Sequence, residues 1–400
     1  MKLTDLSQNP NPLAKHYSRF QVDRRLLLTG HSHQAWPDAG FEGQQQAWFD
    51  AAQFVDDKWD HAFATADRVR SGFAKIIGDD RGYYALASST HELIVRFLSA
   101  LPLGSRRRLV TTDGEYHTLR RQLSRLEEEG IEVIRVSSAT PDLIAEQIVK
   151  EVTDQTAAVF VSSVLFQTGY MVPGLGRVLQ ACQRVGAELL VDAYHSLNVA
   201  PFSLERERLN DSYVVGGGYK YCQLGEGNCF LRIPPDSKLR PVITGWYCEF
   251  SALTNVGAKE VAYGKGPDRF AGSTYDPTSH YRAASVFDFF QEHRLIPTFL
   301  REVSQHQIGL LAHSFDDLDL SPHLISRDRS VEIDRIGGFL ALCSPKAEEL
   351  YRRLKEKGVS TDYRGDRLRF GPAPYHSDLQ LRDAMEILGK ICRKESGMFQ

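Results

Sequence analysis

Lys220 follows three consecutive glycines and stands between two tyrosines, in Gly216-Gly217-Gly218-Tyr219-Lys220-Tyr221. Glycines let a backbone approach closely, and a lysine held there can form an imine with an aldehyde cofactor. A flexible turn with a solvated lysine explains the motif about as well when it is taken alone. Asp192 ends an apolar run 28 residues earlier, with His195 three residues further on. An acid at a buried strand end is costly unless a positive group meets it. A protonated pyridine nitrogen is such a group; a helix cap or sheet-edge acid is the plainer account. Ala87-Ser88-Ser89-Thr90-His91-Glu92 opens a helix pattern, with Ser89 and Glu92 at capping-box spacing. Its exposed N–H groups and hydroxyls suit a phosphate, although an ordinary cap explains it better in isolation. Arg369, in Arg367-Leu368-Arg369-Phe370-Gly371-Pro372-Ala373-Pro374, alternates within a short strand where its planar fork could grip a carboxylate. A surface arginine is the commoner meaning of that pattern.

These groups need a scaffold that brings strand ends together. Strands are predicted at 83–87, 108–112, 132–136, 157–164, 188–192, 212–215 and 229–233, with helical patterns at 92–100, 119–129, 142–152 and 174–185. The alternation implies an α/β fold: a mainly parallel seven-stranded sheet with helices on both faces, joined by right-handed crossovers. Such sheets bind ligands at the carboxyl ends of their strands. The run at 157–164 is almost wholly apolar or small, as a strand buried on both faces should be. Helices at 282–292, 297–314 and 347–357, with strands at 336–344 and 367–370, suggest a smaller α+β domain. The expected division is an N-terminal segment, 1–45, near the active site and small domain; a large domain, 46–282; and a small C-terminal domain, 283–400.

The chain has 400 residues, 42% hydrophobic and 25% charged, and a net charge of −3. Those are the proportions of an ordinary soluble globular protein, and they leave no electrostatic footprint for nucleic acid or an anionic membrane. No apolar run approaches the ~20 residues that span a bilayer, and the first ten residues lack a signal-peptide core. Six cysteines, none in a CxxC pair, fit a reducing cytoplasm. His31, His33 and His61 lack ligand spacing, so no metal is expected. Gly174-Leu175-Gly176 lacks the third glycine of a dinucleotide fingerprint.

In chain order, the hydroxyl-rich helix start, strand-end acid, glycine-flanked lysine and late arginine resemble a fold-type I, aminotransferase class V-like pyridoxal-phosphate enzyme over most of the chain. The segments Gly216–Tyr221, Phe166-Gln167-Thr168-Gly169, Gly245-Trp246-Tyr247, Leu368–Pro374 and Gly30-His31-Ser32 resemble kynureninase in particular. The resemblance implies the PLP-dependent transferase-like fold, with pyridoxal 5'-phosphate joined to Lys220 and its ring nitrogen paired with Asp192. By the same resemblance Tyr116 stacks on the ring, Ser89, Thr90 and Tyr219 hold the phosphate, and His195 lies on the cofactor's hydroxyl side. Thr168 belongs to the strand-end motif beside the cofactor. Arg369 takes the α-carboxylate of a small amino acid substrate, with His31 and Ser32 near it, and Tyr219 shuttles protons with Lys220. The family forms homodimers with shared sites, so Trp246 and Thr274 are expected to reach the neighbouring subunit's cofactor and substrate.

The implied reaction is hydrolysis of the Cβ–Cγ bond of kynurenine, 3-hydroxykynurenine or a related aryl-keto amino acid, giving an anthranilate and L-alanine, a step of tryptophan catabolism. Departures from the family's pattern fall where the aromatic half of a substrate would sit: Cys248-Glu249, His31-Ser32-His33-Gln34 and Tyr116-His117-Thr118-Leu119. The alternatives are a class V aminotransferase and a cysteine desulfurase-like lyase. The lyase would need a mobile cysteine, and Cys343, the nearest candidate, lies in an apolar strand pattern. A non-catalytic pyridoxal-binding protein would have lost the lysine or the acid, and both are present.

Overall fold

The computed structural model describes residues 1–253 and 259–396. Its central sheet has seven strands: β1 (Tyr83–Ala87), β2 (Arg108–Thr112), β3 (Glu132–Val136), β4 (Thr156–Ser162), β5 (Glu188–Asp192), β6 (Tyr213–Gly217) and β7 (Cys229–Ile233). They lie in the order β1-β7-β6-β5-β4-β2-β3. The pairs from β6 to β3 are parallel, whereas β7 runs antiparallel to β1 and β6. The β6–β7 connection, 218–228, is shorter than the dozen or more residues a parallel crossover needs, so the chain must turn back. Lys220 lies in that short return.

The α/β pattern has a direct cause in the side chains. All of β4 is buried. Val159 and Val161 join one apolar cluster, and Ala158 and Phe160 join another on the opposite face. The first cluster receives Ile144 and Ile148 from the helix Pro141–Glu151, and Val178, Leu179 and Cys182 from Leu175–Val185. The second receives Leu93, Ile94 and Phe97 from Thr90–Ala100, and Leu119 and Leu123 from His117–Glu128. Each fully buried large apolar side chain contributes about 1.5–3 kcal/mol. β4 stops two residues earlier than its apolar run predicts, because Val164 leaves the ladder to bridge Met171. β6 runs two residues further than expected, through Gly216 and Gly217. A side chain at Gly217 would collide with the Tyr194 ring, and one at Gly218 with Leu224. These glycines therefore serve close packing under the site.

A second sheet holds β8 (Ser326–Arg327), β9 (Leu340–Cys343), β10 (Asp362–Arg364) and β11 (Arg367–Phe370), all antiparallel in the order β10-β11-β9-β8. Leu340, Leu342, Leu368 and Phe370 pack against the helices Pro297–Asp316, Ala347–Glu356 and Asp378–Ser396. The opposite face carries Asp362 paired across from Arg369, which is paired across from Ala341. Gly365, at φ +56°, makes the tight turn between β10 and β11.

The N-terminal stretch is tied to this sheet. Leu26–Leu27 pairs in parallel with Val359–Ser360, and Thr29 bridges Gly371. The Gly30 N–H donates to the Gly371 carbonyl at 2.7 Å. Residues 29–34 are thereby laid beside the β6–β7 return, where the Gln34 N–H donates to the Tyr219 carbonyl at 3.4 Å. Among the described residues, no helix is long and apolar enough to cross a membrane.

Candidate active site

The carboxyl ends of β4, β5 and β6 meet around Lys220, which is buried. A small cavity here is lined by Thr90, Tyr116, Phe166, Asp192, Tyr194, His195, Tyr219 and Lys220, among others. Lys220 Nζ lies 2.6 Å from His195 Nε2, and His195 Nδ1 lies 3.2 Å from the Tyr221 hydroxyl. The ammonium site also faces the rings of Tyr194 at 4.9 Å, Tyr116 at 5.6 Å and Tyr219 at 5.7 Å. Burial lowers the Lys220 pKa to about 7, with Asp192 opposing the shift and Arg369 reinforcing it. Burial also holds His195 well below its usual range, and the positive charges of Lys220 and Arg369 add to that. A neutral imidazole donates from one nitrogen and accepts at the other, so one proton position links Tyr221, His195 and Lys220.

Asp192 is the last residue of β5, an edge-free position in the sheet centre. One carboxylate oxygen accepts from the Tyr194 N–H at 2.8 Å. Burial raises its pKa. Among the described ion pairs within 4.0 Å, Asp192 has none. A part-buried carboxylate with one backbone donor and no ion pair within 4.0 Å fits a protonated ring nitrogen as its partner. The residues present therefore fit pyridoxal 5'-phosphate: an amine that is neutral near pH 7, an unpaired acid, and the hydroxyl-lined start of the helix Thr90–Ala100. At that start the Ser89 hydroxyl accepts from the Glu92 N–H at 3.3 Å, and Thr90 reaches the cavity.

Tyr116 is part-exposed at the cavity mouth, edge-on to Phe166 with ring centroids 5.3 Å apart. Tyr219 is stacked by His33 at 4.8 Å, and burial raises its pKa, which keeps its hydroxyl protonated. Arg369 is buried and tied to Asp362, its Nε donating to Oδ1 at 2.8 Å. It also donates to the Phe166 carbonyl, which connects it to the cavity wall. His31 is fully buried, with Nε2 2.7 Å from Asp362. Ser32 turns to His33 at 3.1 Å, and the Thr168 hydroxyl accepts from the Tyr170 N–H at 3.4 Å within its own turn. Of the predicted site residues, Ser32, Thr168, Ser89, His31 and Arg369 do not themselves line the Lys220 cavity.

Trp246 and Thr274 are placed elsewhere in the chain. Thr274 borders a separate cavity of about 930 Å³ beside residues 243–250 and 267–280. Trp246 is 42% exposed and packs on Tyr247 and Phe250 at 4.3 and 5.3 Å.

Two acids at the site are absent from the sequence-based set. Glu115, just beyond β2, is fully buried and accepts from the Ser162 hydroxyl at 2.5 Å, the Ser162 N–H at 3.1 Å and the Thr112 hydroxyl at 2.7 Å. Burial raises its pKa to about 7, and the charge of Asp192 adds to the shift. Its signal is present in the sequence: like Asp192, it follows an apolar strand. Asp362 gives no such signal, because its role arises only when β10 pairs with β11. Among the described residues no cluster of three or more His, Cys, Asp or Glu could hold a metal.

No family model matches the chain. It is 25% identical over 425 residues to a kynureninase of Burkholderia pseudomallei (strain 1106a), covering 96% of this chain and 94% of that protein. It is 24% identical over 352 residues to the kynureninase of Pseudomonas fluorescens, covering 83% of this chain and 80% of that protein. An uncharacterized aminotransferase, YcbU, of Bacillus subtilis (strain 168) is 23% identical over 355 residues, covering 87% of this chain and 90% of that protein. The fold matches a solved structure of a mutant of C-DES, with glycine covalently linked to its PLP cofactor, at a TM-score of 0.79. That match has 15% identity and covers 94% of this chain and 99% of the other. It also matches the Escherichia coli cysteine desulfurase CsdA at 0.75, with 13% identity over 96% of this chain and 98% of the other.

Proposed function

We propose, from the premise that this chain is a fold-type I, class V pyridoxal-phosphate enzyme near kynureninase, that it hydrolyses the Cβ–Cγ bond of an aryl-keto amino acid. Kynurenine or 3-hydroxykynurenine would give the corresponding anthranilate and L-alanine, as in tryptophan catabolism. The observation that carries this reading is the enclosure of Lys220 with the unpaired Asp192 beside a buried arginine, in a chain similar to kynureninases along most of its length.

When bound, pyridoxal 5'-phosphate supplies an aldehyde and a protonated ring that withdraws electrons from the substrate Cα. Asp192 would hold the ring nitrogen and Ser89 and Thr90 the phosphate. Tyr116 would cover one face of the ring, with His195 at its edge. Lys220, whose pKa burial lowers to about 7, would hold the aldehyde through its amine and would be the base that moves the Cα proton. Tyr219 adjoins it with a protonated hydroxyl and is the second proton carrier. Arg369 binds the α-carboxylate. Water is the co-substrate: its hydroxyl adds to the γ-carbon as the Cβ–Cγ bond breaks, and Cβ takes a proton on the way to alanine.

The same reading places the chain in the cytoplasm as a homodimer, Trp246 and Thr274 of one subunit completing the site of the other. It keeps the division at residues 45 and 282. Similarity to YcbU favours a second reading, amino-group transfer.

The test is direct. Incubating the pyridoxal-phosphate-loaded protein with kynurenine and 3-hydroxykynurenine should release L-alanine and the matching anthranilate. Glutamate formed from 2-oxoglutarate, without alanine release, would support the aminotransferase. No product from either aryl substrate would overturn the kynureninase reading.

A further inference from the structure

Arg369 has five N–H donors, and three are already committed. Nε and Nη2 donate side by side to the two oxygens of Asp362, and Nη1 donates to the Phe166 carbonyl. One N–H therefore remains on each terminal nitrogen, available to a carboxylate. The committed donors decide where that pair points. Asp362 fixes the plane of the guanidinium, and Phe166 ties it to the wall of the Lys220 cavity. Asp362 is held in turn. His31 Nε2 lies 2.7 Å from the oxygen that accepts from Arg369 Nε, and Arg364 lies 3.6 Å from the other. His31 can come this close because residue 371 is glycine, where any side chain would collide with the imidazole.

A buried ion pair is a weak stabiliser, since desolvation of both charges offsets most of the attraction. Its value here is orientation. The elements support that view: Asp362 and Arg369 are register partners across the β10–β11 hairpin, and His31 arrives from the N-terminal stretch that bridges Gly371. Three separated segments are joined around one arginine that sits behind the Phe166 wall of the Lys220 cavity.

We propose that Asp362 is a positioning residue that aims Arg369 at the substrate α-carboxylate, and that His31 acts as a donor holding Asp362 rather than touching substrate. The proposal rests on the reading of Arg369 as the carboxylate-binding residue and deepens it: selectivity for α-amino acids over plain amines depends on the Asp362–His31 pair.

The experiment is calorimetric titration of the pyridoxal-phosphate-loaded protein with L-alanine and with ethylamine, which lacks the carboxylate. Arg369→Ala should weaken L-alanine on the order of a hundredfold and leave ethylamine unchanged. Asp362→Asn should weaken L-alanine roughly thirtyfold, again without affecting ethylamine. His31→Gln, which keeps a donor near the Nε2 position, should stay within about threefold of the parent, whereas His31→Leu, which only fills space, should lose about tenfold. If Arg369→Ala matters and Asp362→Asn does not, positioning is wrong and the arginine reading stands. If Arg369→Ala changes nothing, the arginine reading itself is wrong. Equal weakening of both ligands by Asp362→Asn would reduce the residue to a structural one and overturn the proposal. If Asp362→Asn fails to fold, the two His31 variants decide, and equal behaviour of Gln and Leu removes His31 from the inference.

Discussion

The cavity at Lys220 and the one beside residues 243–250 and 267–280 differ in kind. The first is small, formed by strand ends, and lined by groups whose charges are left without ordinary partners: Lys220 with a pKa near 7 and Asp192 with no ion pair. The second, about 930 Å³, is far larger; its two arginines are matched by acids, although burial there also raises Asp268 and lowers His280 to about 4. Arg96 meets Glu92 at 3.2 Å and Arg70 meets Asp67 at 2.6 Å. Under the proposed reading size is the poorer guide, and a displaced lysine set beside an acid at strand ends the better one. The large cavity has a different meaning. Its border and surroundings expose Val242, Ile243, Trp246, Phe250 and Leu253, and an apolar patch of that kind marks a surface that another molecule covers. In the proposed homodimer, a second copy carrying Trp246 and Thr274 toward its neighbour's Lys220 would account for both cavities at once.

The largest effect should come from Lys220→Ala. Turnover should fall by about 10³-fold or more, the range expected when a nucleophile and proton carrier is removed. Borohydride treatment of the loaded parent should fix the cofactor's mass on the peptide containing Lys220, and the variant should carry none. Fixation at another lysine would break the contrast between the two cavities.

Trp246→Ala should lower turnover by roughly tenfold, as loss of an aromatic interface anchor often does. Mixing it with Lys220→Ala under conditions of subunit exchange should then give more activity than the two preparations alone, because a mixed dimer holds one intact site. No recovery after demonstrated exchange would confine Trp246 to its own subunit and leave the large cavity without this role.

Much of the Lys220 cavity is legible in the sequence because its parts lie at strand ends, and strand ends follow from apolar runs. Asp192 closes the run at 188–192 and the glycines close β6, so their residue types and positions can be read together. The reversal of β7 is not legible in this way; it depends on the length of the 218–228 return, which composition does not advertise. Asp362 is invisible because β10 is a three-residue strand with no apolar alternation, formed by pairing rather than by its own preference. The His31 segment is expected near the site, and its side chain points to Asp362 because Gly371 admits it. Contacts between segments far apart in sequence are settled by packing, and single-chain patterns do not encode them locally.

A smaller effect concerns pH and the unfolding of the cofactor-free protein. Lys220 has its pKa lowered from 10.5 to about 7, so between those values the unfolded chain binds more protons and stability rises with pH. Glu115 has its pKa raised from 4.5 to about 7, so between those values the folded chain binds more protons and stability falls as pH rises. Below pH 6.5 the Glu115 contribution is opposed by His31, His280 and His376, whose pKa values burial lowers to about 4, 4 and 3, so the two groups are read as differences from the parent profile. Relative to the parent, Lys220→Met should flatten the urea-unfolding free energy between pH 7 and 10.5, and Glu115→Gln should make it rise more steeply with pH between 4.5 and 7. If both variants keep the parent's pH profile, the two groups are not displaced and the Lys220 cavity loses the property that sets it apart.

The smallest effect is expected at Cys343, where a sulfur-transfer reading would demand the largest. Transfer of sulfur needs a thiolate that can reach the site. Cys343 is instead the last residue of β9, paired across from Arg367, with its sulfur 3.1 Å from the Asp366 carboxylate. Partial burial and that acid both raise its pKa, so the thiol stays protonated and fixed in a ladder. The other five cysteines are buried. Cys343→Ser should therefore leave turnover of the aryl-keto substrate unchanged, and neither parent nor variant should release sulfide from cysteine in the presence of a reductant. Sulfide release by the parent that Cys343→Ser abolishes would move the chemistry onto the small sheet and make the desulfurase-like lyase the better account of this fold.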